Sequence, residues 1–321
     1  MSTTIVTAPS VTRHRPRANI GDAVFAALVR AAGGFVLLLL GAILVLLFIG
    51  GMPAFRAGGF GFLLSPAWNP VTQRFGALVS VYGTVMSSLL ALIMAVPLAF
   101  GIAYYLTELA PAWLRRPVGT AVELLAAIPS IIYGMWGFFA LAPWISATAK
   151  PALAATFGHL PLIGAVFRPS PGNASLFTAA AVLAIMIIPF IAATMRDVFL
   201  TVPAMFKESA SGLGGTTWEV MRYVVFPYTR VSVVGGIMLG LGRALGETMA
   251  VTFVIGNTNR ISPSVFAPGN TIASLVALEF PEADQGSLHL SALLALGFIL
   301  FVISFLVLAT SRLLLRPRLQ A

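Results

Sequence analysis

The chain alternates long apolar stretches with shorter polar segments. Six stretches are long enough to cross a bilayer, since a membrane-spanning helix needs about 20 apolar residues. They cover residues 31–52, 78–106, 118–145, 176–195, 231–255 and 288–308. The pattern therefore predicts an all-α polytopic membrane protein with six transmembrane helices. The segment of residues 151–167 is apolar but short and interrupted by glycine and proline, so we interpret it as an outer or re-entrant piece; a pair of half-spans is the alternative.

Composition supports a membrane protein. Hydrophobic residues make up 59% of the chain and charged residues only 9%, and the mean hydropathy is +0.97. These values exclude an ordinary soluble domain. The chain has no cysteine and only three widely separated histidines, at positions 14, 159 and 289, so no metal site is predicted.

The distribution of positive charge predicts the orientation in the membrane. Thirteen of the 19 Lys and Arg residues fall on the side of the N-terminus, five fall on the other side, and Arg243 lies within a span. Because cytoplasmic segments carry the excess of Lys and Arg, both termini are predicted to be cytoplasmic. The membrane domain then covers residues 31–312, between cytoplasmic tails of residues 1–30 and 313–321. The net charge of +9 is explained by this topology and indicates no nucleic-acid partner.

A polar segment, Lys207 to Pro227, separates the fourth and fifth spans. The run around Glu208 and Ala210 favours a helix, Gly214 and its neighbouring glycines favour a turn, and Pro227 is predicted to end a second short helix. A glycine turn would leave backbone groups unpaired in hydrocarbon. We therefore predict a cytoplasmic coupling loop at residues 203–227 whose apolar side binds a partner. An ordinary hairpin at the membrane interface is the alternative.

The fifth span holds two opposite charges, Arg243 and Glu247. An ionised group at that depth must be paired or must face a polar cavity. In one continuous helix the two residues would share a face, which would allow a structural ion pair. The second hypothesis is that the Arg243 guanidinium binds an oxyanion in transit. Glu247 would then orient Arg243 and could accept the proton of hydrogen phosphate.

Two further features of the spans bear on packing and charge. Gly236 with Gly240, and Gly242 with Gly246, have the spacing that allows close helix approach, and we expect this face to pack on a second permease. Glu123 is predicted to be a buried charge inside the third span.

No nucleotide-binding loop of the form Gly-x-x-x-x-Gly-Lys-Ser/Thr is present in the sequence. The chain itself is therefore not expected to bind or hydrolyse ATP. If it takes part in ATP-driven transport, it is a transport subunit rather than an enzyme, and ATP hydrolysis resides in a separate polypeptide; no cofactor is predicted.

Several motifs resemble those of the membrane subunits of bacterial ABC importers. The loop matches their ATPase-docking motif at Glu208, Ser209, Ala210, Gly214 and Pro227, with Ser209 in place of an alanine. Together with Trp68-Asn-Pro70, Phe75-Gly76 and the stretch Leu241 to Val251, it resembles a permease of the phosphate-specific importers. The Met-Ala-Val ending of that stretch favours one of the two permease types in that family.

The resemblance implies a fold, a location and partners. The fold would be that of type I ABC importer permeases, in the lipid of a bacterial cytoplasmic (inner) membrane. A second permease, a dimer of ATP-binding subunits and an external phosphate-binding protein would be the partners, and inorganic phosphate the substrate. Arg243 and Glu247 match residues implicated in the phosphate path. The alternatives are a sulfate or molybdate permease, a phosphate-sensing membrane component and a proton-driven carrier.

Overall fold

The computed structural model describes residues 20–161 and 164–314, and residues 1–46 and 47–321 form two compact units. Helices long and apolar enough to cross a membrane occupy Gly21–Gly58, Leu78–Leu109, Ser130–Phe157, Leu176–Leu200, Thr217–Leu245 and Leu288–Ser311. The predicted class, an all-α membrane protein with six spanning helices, is therefore confirmed. Residues 1–19 and 315–321 of the predicted tails lie outside the described residues.

The first helix, α1 (Ile20–Gly58), begins well before the predicted span. Within residues 20–46, most apolar side chains are exposed, as expected for a surface that contacts lipid. The later part, residues 47–58, packs closely on α14 (Leu288–Leu314). A methyl group placed on Gly51 would lie only 2.8 Å from the Cα of Ala295, so the glycine is what lets the two backbones approach.

The core is built on α3 (Leu78–Tyr104) and α8 (Leu176–Leu200). Small side chains recur at every fourth position of α3, and all of them are fully buried in one cluster with α8: Ala91, Ala95, Ala99 and Ala103. Methyl-sized side chains allow helices to approach closely in a membrane, where packing replaces the hydrophobic effect as the driving force. At its end α3 continues as a π-helical segment, Tyr105–Leu109.

The third membrane helix lies later in the chain than the predicted span of residues 118–145. A separate helix, α4 (Ala112–Ala126), ends before Pro129, which adopts an extended conformation and precedes α5 (Ser130–Trp136). Proline disfavours the helical conformation of the residue before it, so one apolar run is divided between two helices. The helical path continues through a π-helical segment (Gly137–Leu141), α6 (Ala142–Trp144), a second π-helical segment (Ile145–Ala149) and α7 (Lys150–Phe157).

The fifth membrane helix begins in the predicted cytoplasmic loop. After α8 come α9 (Ala204–Gly212), α10 (Thr217–Val220), a π-helical segment (Met221–Val225), α11 (Phe226–Leu245) and α12 (Met249–Val254). Helix α10, the π-helical segment and α11 follow one another without a gap. The fifth span is thus displaced toward the N-terminus relative to the predicted residues 231–255.

The predicted outer segments contain short elements. They are α2 (Gly61–Leu64), the antiparallel strands β1 (Trp68–Asn69) and β2 (Arg74–Phe75), α13 (Ile272–Glu279) and a 3₁₀ turn (Phe280–Glu282). Within the predicted outer segment of residues 257–287, the start of α13 is buried. The backbone N–H of Ile272 donates to Thr84 Oγ1 of α3 over 2.9 Å.

Candidate functional site

A break interrupts the helix that carries the predicted site residues. Helix α11 ends at Leu245, and α12 begins at Met249. The three residues between them include Glu247, so Arg243 and Glu247 belong to different segments. Non-helical backbone at membrane depth is tolerated only where it is buried in protein or lines a water-filled cavity. Broken helices of this kind often form substrate sites in transporters.

The contacts of α11 with α8 place Arg243 level with the middle of that spanning helix. A methyl group on Gly236 would lie 2.8 Å from Thr194, and one on Gly240 would lie 2.7 Å from Ile191. The two helices are therefore antiparallel. Three residues past Gly240, a rise of about 4.5 Å, Arg243 is level with about Ile188. That residue is the centre of Leu176–Leu200, with twelve residues on either side.

Arg243 is exposed on the surface of this single chain. Among the described residues no carboxylate lies within 4.0 Å of its guanidinium, and it takes part in none of the side-chain hydrogen bonds found there. The structural ion pair with Glu247, expected for a continuous helix, is therefore not formed. The physical reason is the helix break, which removes the regular spacing that would stack the two side chains.

Glu247 is half-buried and supports the start of α12. Its Oε1 accepts a hydrogen bond from the backbone N–H of Ala250 over 3.3 Å. Helix α5 packs directly behind this position: a methyl group on Gly134 would lie 2.9 Å from the Cα of Ala250. The position of the Glu247 carboxylate thus depends on a close contact between two backbones.

The glycines of α11 divide between two faces. Gly236 and Gly240 contact α8 of the same chain, so this pair does not provide the surface that we expected for a second permease. Gly242 has no other group within 4 Å of an added methyl group, and Gly246 meets only the Gly242 carbonyl oxygen. Gly242 therefore lies on the open face of α11 beside Arg243, and Gly246 follows directly after the helix.

Glu123 is not inside a membrane helix, contrary to the prediction. It lies on α4, its side chain is 51% exposed, and its Oε1 is 2.6 Å from Nη2 of Arg196. The same Arg196 nitrogen is 2.9 Å from Oδ1 of Asp197. Glu123 therefore pairs with Arg196 and does not contact Arg243. Arg196 instead joins α4 to the end of α8.

The predicted docking loop has the helix, turn and helix expected from its sequence. Glu208, Ser209 and Ala210 lie within α9, which has no fully buried residue. Gly214 has a φ of +90°, a conformation that favours glycine. Beside it, the side chain of Leu213 is 91% exposed. Met205, Phe206 and Trp218 of the loop are exposed as well, and a group of exposed apolar side chains is typical of a partner surface.

The second half of the loop leads directly into the membrane. Thr216 and Glu219 form a reciprocal capping box at the start of α10. Pro227 was predicted to end a helix, but it lies near the start of α11, directly after the π-helical segment Met221–Val225. Local π-helical turns help a helix to accommodate a proline, which cannot donate a backbone hydrogen bond. The loop and the helix that carries Arg243 are thus joined by continuous helical backbone.

Sequence reasoning missed two features of this site. The first is the helix break itself. Glycine is typical just after a helix end and threonine just before a helix start, so Gly246 and Thr248 were the signals that could have predicted it. The second is an ion pair between Lys207 of α9 and Glu108 at the end of α3, whose Nζ and Oε1 are 2.6 Å apart. The two residues are 99 positions apart in the chain, and neither was assigned a partner.

Comparison with known proteins is consistent with this architecture. Residues 95–319 match the family described as binding-protein-dependent transport system inner membrane component. A phosphate transport system permease protein PstC of Mesorhizobium japonicum is 56% identical over 296 residues, which cover 92% of this chain and 90% of the relative. The PstC of Pasteurella multocida is 59% identical over 281 residues, or 88% and 87% of the two chains. PstC 2 of Mycobacterium tuberculosis is 40% identical over 299 residues and 92% of each chain.

Solved structures resemble the fold at low sequence identity. A chain of a bacterial alginate ABC transporter, in complex with an alginate pentasaccharide-bound periplasmic protein, has a TM-score of 0.60 and 15% identity, and the match covers 93% of this chain and 96% of that one. A chain of the MetNI methionine ABC transporter has a TM-score of 0.57 and 15% identity, over 78% and 98%. The predicted type I ABC importer permease fold is therefore confirmed. The chain belongs to the binding-protein-dependent transport system inner membrane components and, within them, to the PstC phosphate transport permeases.

Proposed function

We propose that this chain is the membrane-spanning permease subunit of an ATP-driven importer of inorganic phosphate. The observation that carries the proposal is Arg243: a permanently charged side chain at the middle of the membrane, beside a helix break and without a carboxylate partner among the described residues. Such a charge is costly in lipid. The cost is avoided if the Arg243 side chain faces a hydrated path that this chain forms together with another subunit.

The chemistry of Arg243 fits a tetrahedral oxyanion. A guanidinium presents a planar array of N–H donors that binds two oxygens of a phosphate at once. Glu247, on the next segment of backbone, would accept the proton that hydrogen phosphate carries and sulfate lacks. That proton gives a physical basis for preferring phosphate over sulfate or molybdate.

The partners follow from the family and from the loop. A second permease, PstA-like, would complete the path along the open face of α11. A dimer of PstB-like subunits would bind and hydrolyse ATP in the cytoplasm and dock on Glu208, Ser209, Ala210, Gly214 and Pro227. A PstS-like binding protein would deliver phosphate from outside, with both termini of this chain in the cytoplasm of a bacterium and the protein in its inner membrane.

The mechanism would couple the docking loop to the path. ATP-driven closure of the motor subunits moves α9 and α10, and the continuous helical backbone from Thr217 to Leu245 carries that motion to Arg243. The path then opens alternately to the two sides. Because linkage is reciprocal, docking of the loaded binding protein outside should change ATP turnover inside.

Uptake of radiolabelled phosphate and sulfate tests the proposal in phosphate-starved cells lacking the gene and complemented with variants. Wild type should restore phosphate uptake, whereas Arg243→Gln should lower it about ten-fold or more, because a charge-assisted hydrogen bond contributes about 1.5–3 kcal/mol. Arg230→Gln is the matched control: it removes the same charge from the other end of α11 and should retain uptake.

Three results would contradict the proposal. Normal phosphate uptake by Arg243→Gln would show that Arg243 does not contribute to the phosphate path. Restoration of sulfate uptake by wild type would show that sulfate, rather than phosphate, is the substrate. Glu247→Gln with unchanged uptake and unchanged preference between the two anions would remove the proposed proton acceptor.

A phosphate-sensing role is the second candidate, and the same variants separate it from transport. If Arg243→Gln abolishes uptake while the cells still repress their phosphate-starvation response, the chain signals phosphate status independently of flux.

A further inference from the structure

The helix at the centre of the docking loop is held to the membrane domain by few side chains. None of the residues of α9 is fully buried, and only Lys207 and Ala210 are even half-buried. Ala210 packs at the edge of the main hydrophobic cluster. Lys207 reaches the end of α3, where its Nζ lies 2.6 Å from Oε1 of Glu108. Phe206 of α9 also meets Tyr228 of α11, with ring centroids 6.1 Å apart, so the charged pair is the contact that joins α9 to the end of α3.

The partner of Lys207 is set rigidly in place. Glu108 lies in the π-helical segment Tyr105–Leu109, which closes with a hydrogen bond from the Ala110 N–H to the Tyr105 carbonyl oxygen over 2.7 Å. The neighbouring Thr107 is buried, and its hydroxyl donates to the Ala103 carbonyl oxygen over 3.0 Å. The extra residue in a π-helical turn changes the direction of the side chains that follow. Glu108 lies in such a turn, and its carboxylate faces the docking loop.

The pair is shielded from water but not deeply buried. The side chains of Lys207 and Glu108 are 20% and 14% exposed. A pair in such surroundings is screened less by salt than one on the open surface. Removal of one partner leaves the other charge poorly solvated. Of the four ion pairs within residues 20–161 and 164–314, it is the one that joins the loop to a spanning helix.

A second contact lies close by and involves the other half of the loop. The rings of Tyr104 in α3 and Trp218 in α10 meet edge to face, with their centroids 5.6 Å apart. Helices α9 and α10 thus both touch the last turns of α3, one through charge and one through an aromatic contact. Continuous backbone carries loop motion into α11, where the ring of Phe226 meets Phe100 of α3 edge to face. The contacts of Lys207 and Trp218 link the loop itself to the end of α3.

From this arrangement we infer that the Lys207–Glu108 ion pair transmits displacement of the docking loop to α3, so that α3 and α11 move together when the motor subunits close. The inference rests on the proposed function and extends it: these are positioning residues that contact neither phosphate nor ATP. When the pair is broken, the loop still docks and ATP is still hydrolysed, but α3 no longer follows the loop.

The experiment uses the whole importer reconstituted in proteoliposomes, with the binding protein and phosphate outside and ATP inside. ATP hydrolysis and phosphate uptake are measured in the same preparation. We expect Glu108→Gln and Lys207→Gln each to lower the phosphate imported per ATP hydrolysed about five-fold or more, the low end of usual coupling between sites. The double variant Glu108→Lys with Lys207→Glu restores the pair with reversed charges and should recover most of the ratio.

Controls separate coupling from assembly. Arg116→Gln removes a charge from the exposed face of α4, where Arg116 has no ion pair among the described residues, and should leave the ratio unchanged. Copurification of the motor subunits should be equal in all variants, because Lys207 and Glu108 contact each other rather than the partner surface.

The outcomes distinguish this inference from the proposed function. If wild type imports phosphate with coupled ATP hydrolysis and both single variants keep the wild-type ratio, the inference is wrong and the function stands. If the charge-reversed double variant is as uncoupled as the single variants, the pair does not act through its charge and the inference is also wrong. If wild type itself imports no phosphate, the proposed function fails first.

Discussion

The contact between Gly134 and Ala250 gives a sharp test of how the candidate site is positioned. A methyl group on Gly134 would lie 2.9 Å from the Cα of Ala250, 2.9 Å from the Phe253 ring and 3.2 Å from the Ala250 carbonyl oxygen. Carbon atoms in contact are normally about 3.5–4.0 Å apart. Two of the three neighbours are backbone atoms that no rotamer change can move. In Gly134→Ala, helices α5 and α12 must therefore separate by roughly 0.6 Å or more to restore an ordinary contact.

The expected cost comes from this forced separation. Overpacking of a filled interior typically costs about 1–3 kcal/mol. The displaced segment α12 contains Ala250, whose backbone N–H donates to Glu247, so the shift also moves that carboxylate relative to Arg243. A misplacement on the order of 1 Å can reduce a rate by about a hundred-fold where reacting groups must be aligned. We expect Gly134→Ala to lower phosphate uptake more than it lowers protein abundance.

Thermal unfolding in detergent measures the loss of stability, and phosphate uptake in complemented cells measures the loss of transport. Gly101→Ala is the matched control, because it lies in α3 and an added methyl group there meets nothing within 4 Å. It should be neutral or slightly stabilising, since alanine is favoured over glycine in a helix by about 0.5–1 kcal/mol. If Gly134→Ala unfolds at the same temperature as Gly101→Ala and transports normally, the close packing behind the site is not what positions it.

Two other substitutions test the docking loop and the predicted outer side. Gly214→Ala places a side chain at a φ of +90°, which should strain the turn by about 1–2 kcal/mol and reduce copurification of the motor subunits. Gly212→Ala is the control, because an added methyl group meets nothing within 4 Å at either glycine, and it should not reduce copurification. Equal copurification of the two variants would contradict the role of the turn. Glu279→Ala removes the oxygen that accepts from the Trp68 indole N–H over 2.8 Å and lies 2.7 Å from His289 Nε2. Thermal unfolding should show a loss of stability of about 1–3 kcal/mol. Glu282→Ala, at an exposed position, is the control and should have little effect. A similar loss in both variants would show that the cluster of Trp68, Glu279 and His289 does not hold strand β1 to α13 and α14.

Hydrophobic pattern alone identified the number of membrane helices, because each span must satisfy its backbone internally and exclude charge over a fixed length. It was least accurate where an apolar run contains a change of direction. The predicted span of residues 118–145 merged the second half of α4 with α5, the π-helical segment after it and α6, because alanines and isoleucine before Pro129 are apolar in either arrangement. The break at residues 246–248 was missed because apolar residues continue on both sides of it.

The docking loop was easier to predict than the contacts it makes. Its helix, turn and helix follow from local chemistry, namely a glycine that adopts a positive φ and a threonine that caps α10. The pairing of Lys207 with Glu108, and of Glu123 with Arg196, joins residues far apart in the chain. No local periodicity encodes which charge meets which, so these contacts required the fold.

The seam of alanines along α3 has a mechanical consequence. On that face α3 contributes only methyl groups from Ala91 to Ala103, and the larger fully buried side chains of the same cluster include Ile187, Ile191 and Met195 of α8. Large side chains that interlock must change rotamer when two helices slide past each other, whereas a row of methyl groups offers little to interlock with. Near the end of the seam the rings of Phe100 and Phe199 meet edge to face, with their centroids 5.8 Å apart. Small sliding movements of packed helices are one of the ways in which proteins change state. The seam therefore favours sliding of α3 along α8, and the contact between Phe100 and Phe199 is where such a movement requires side chains to rearrange.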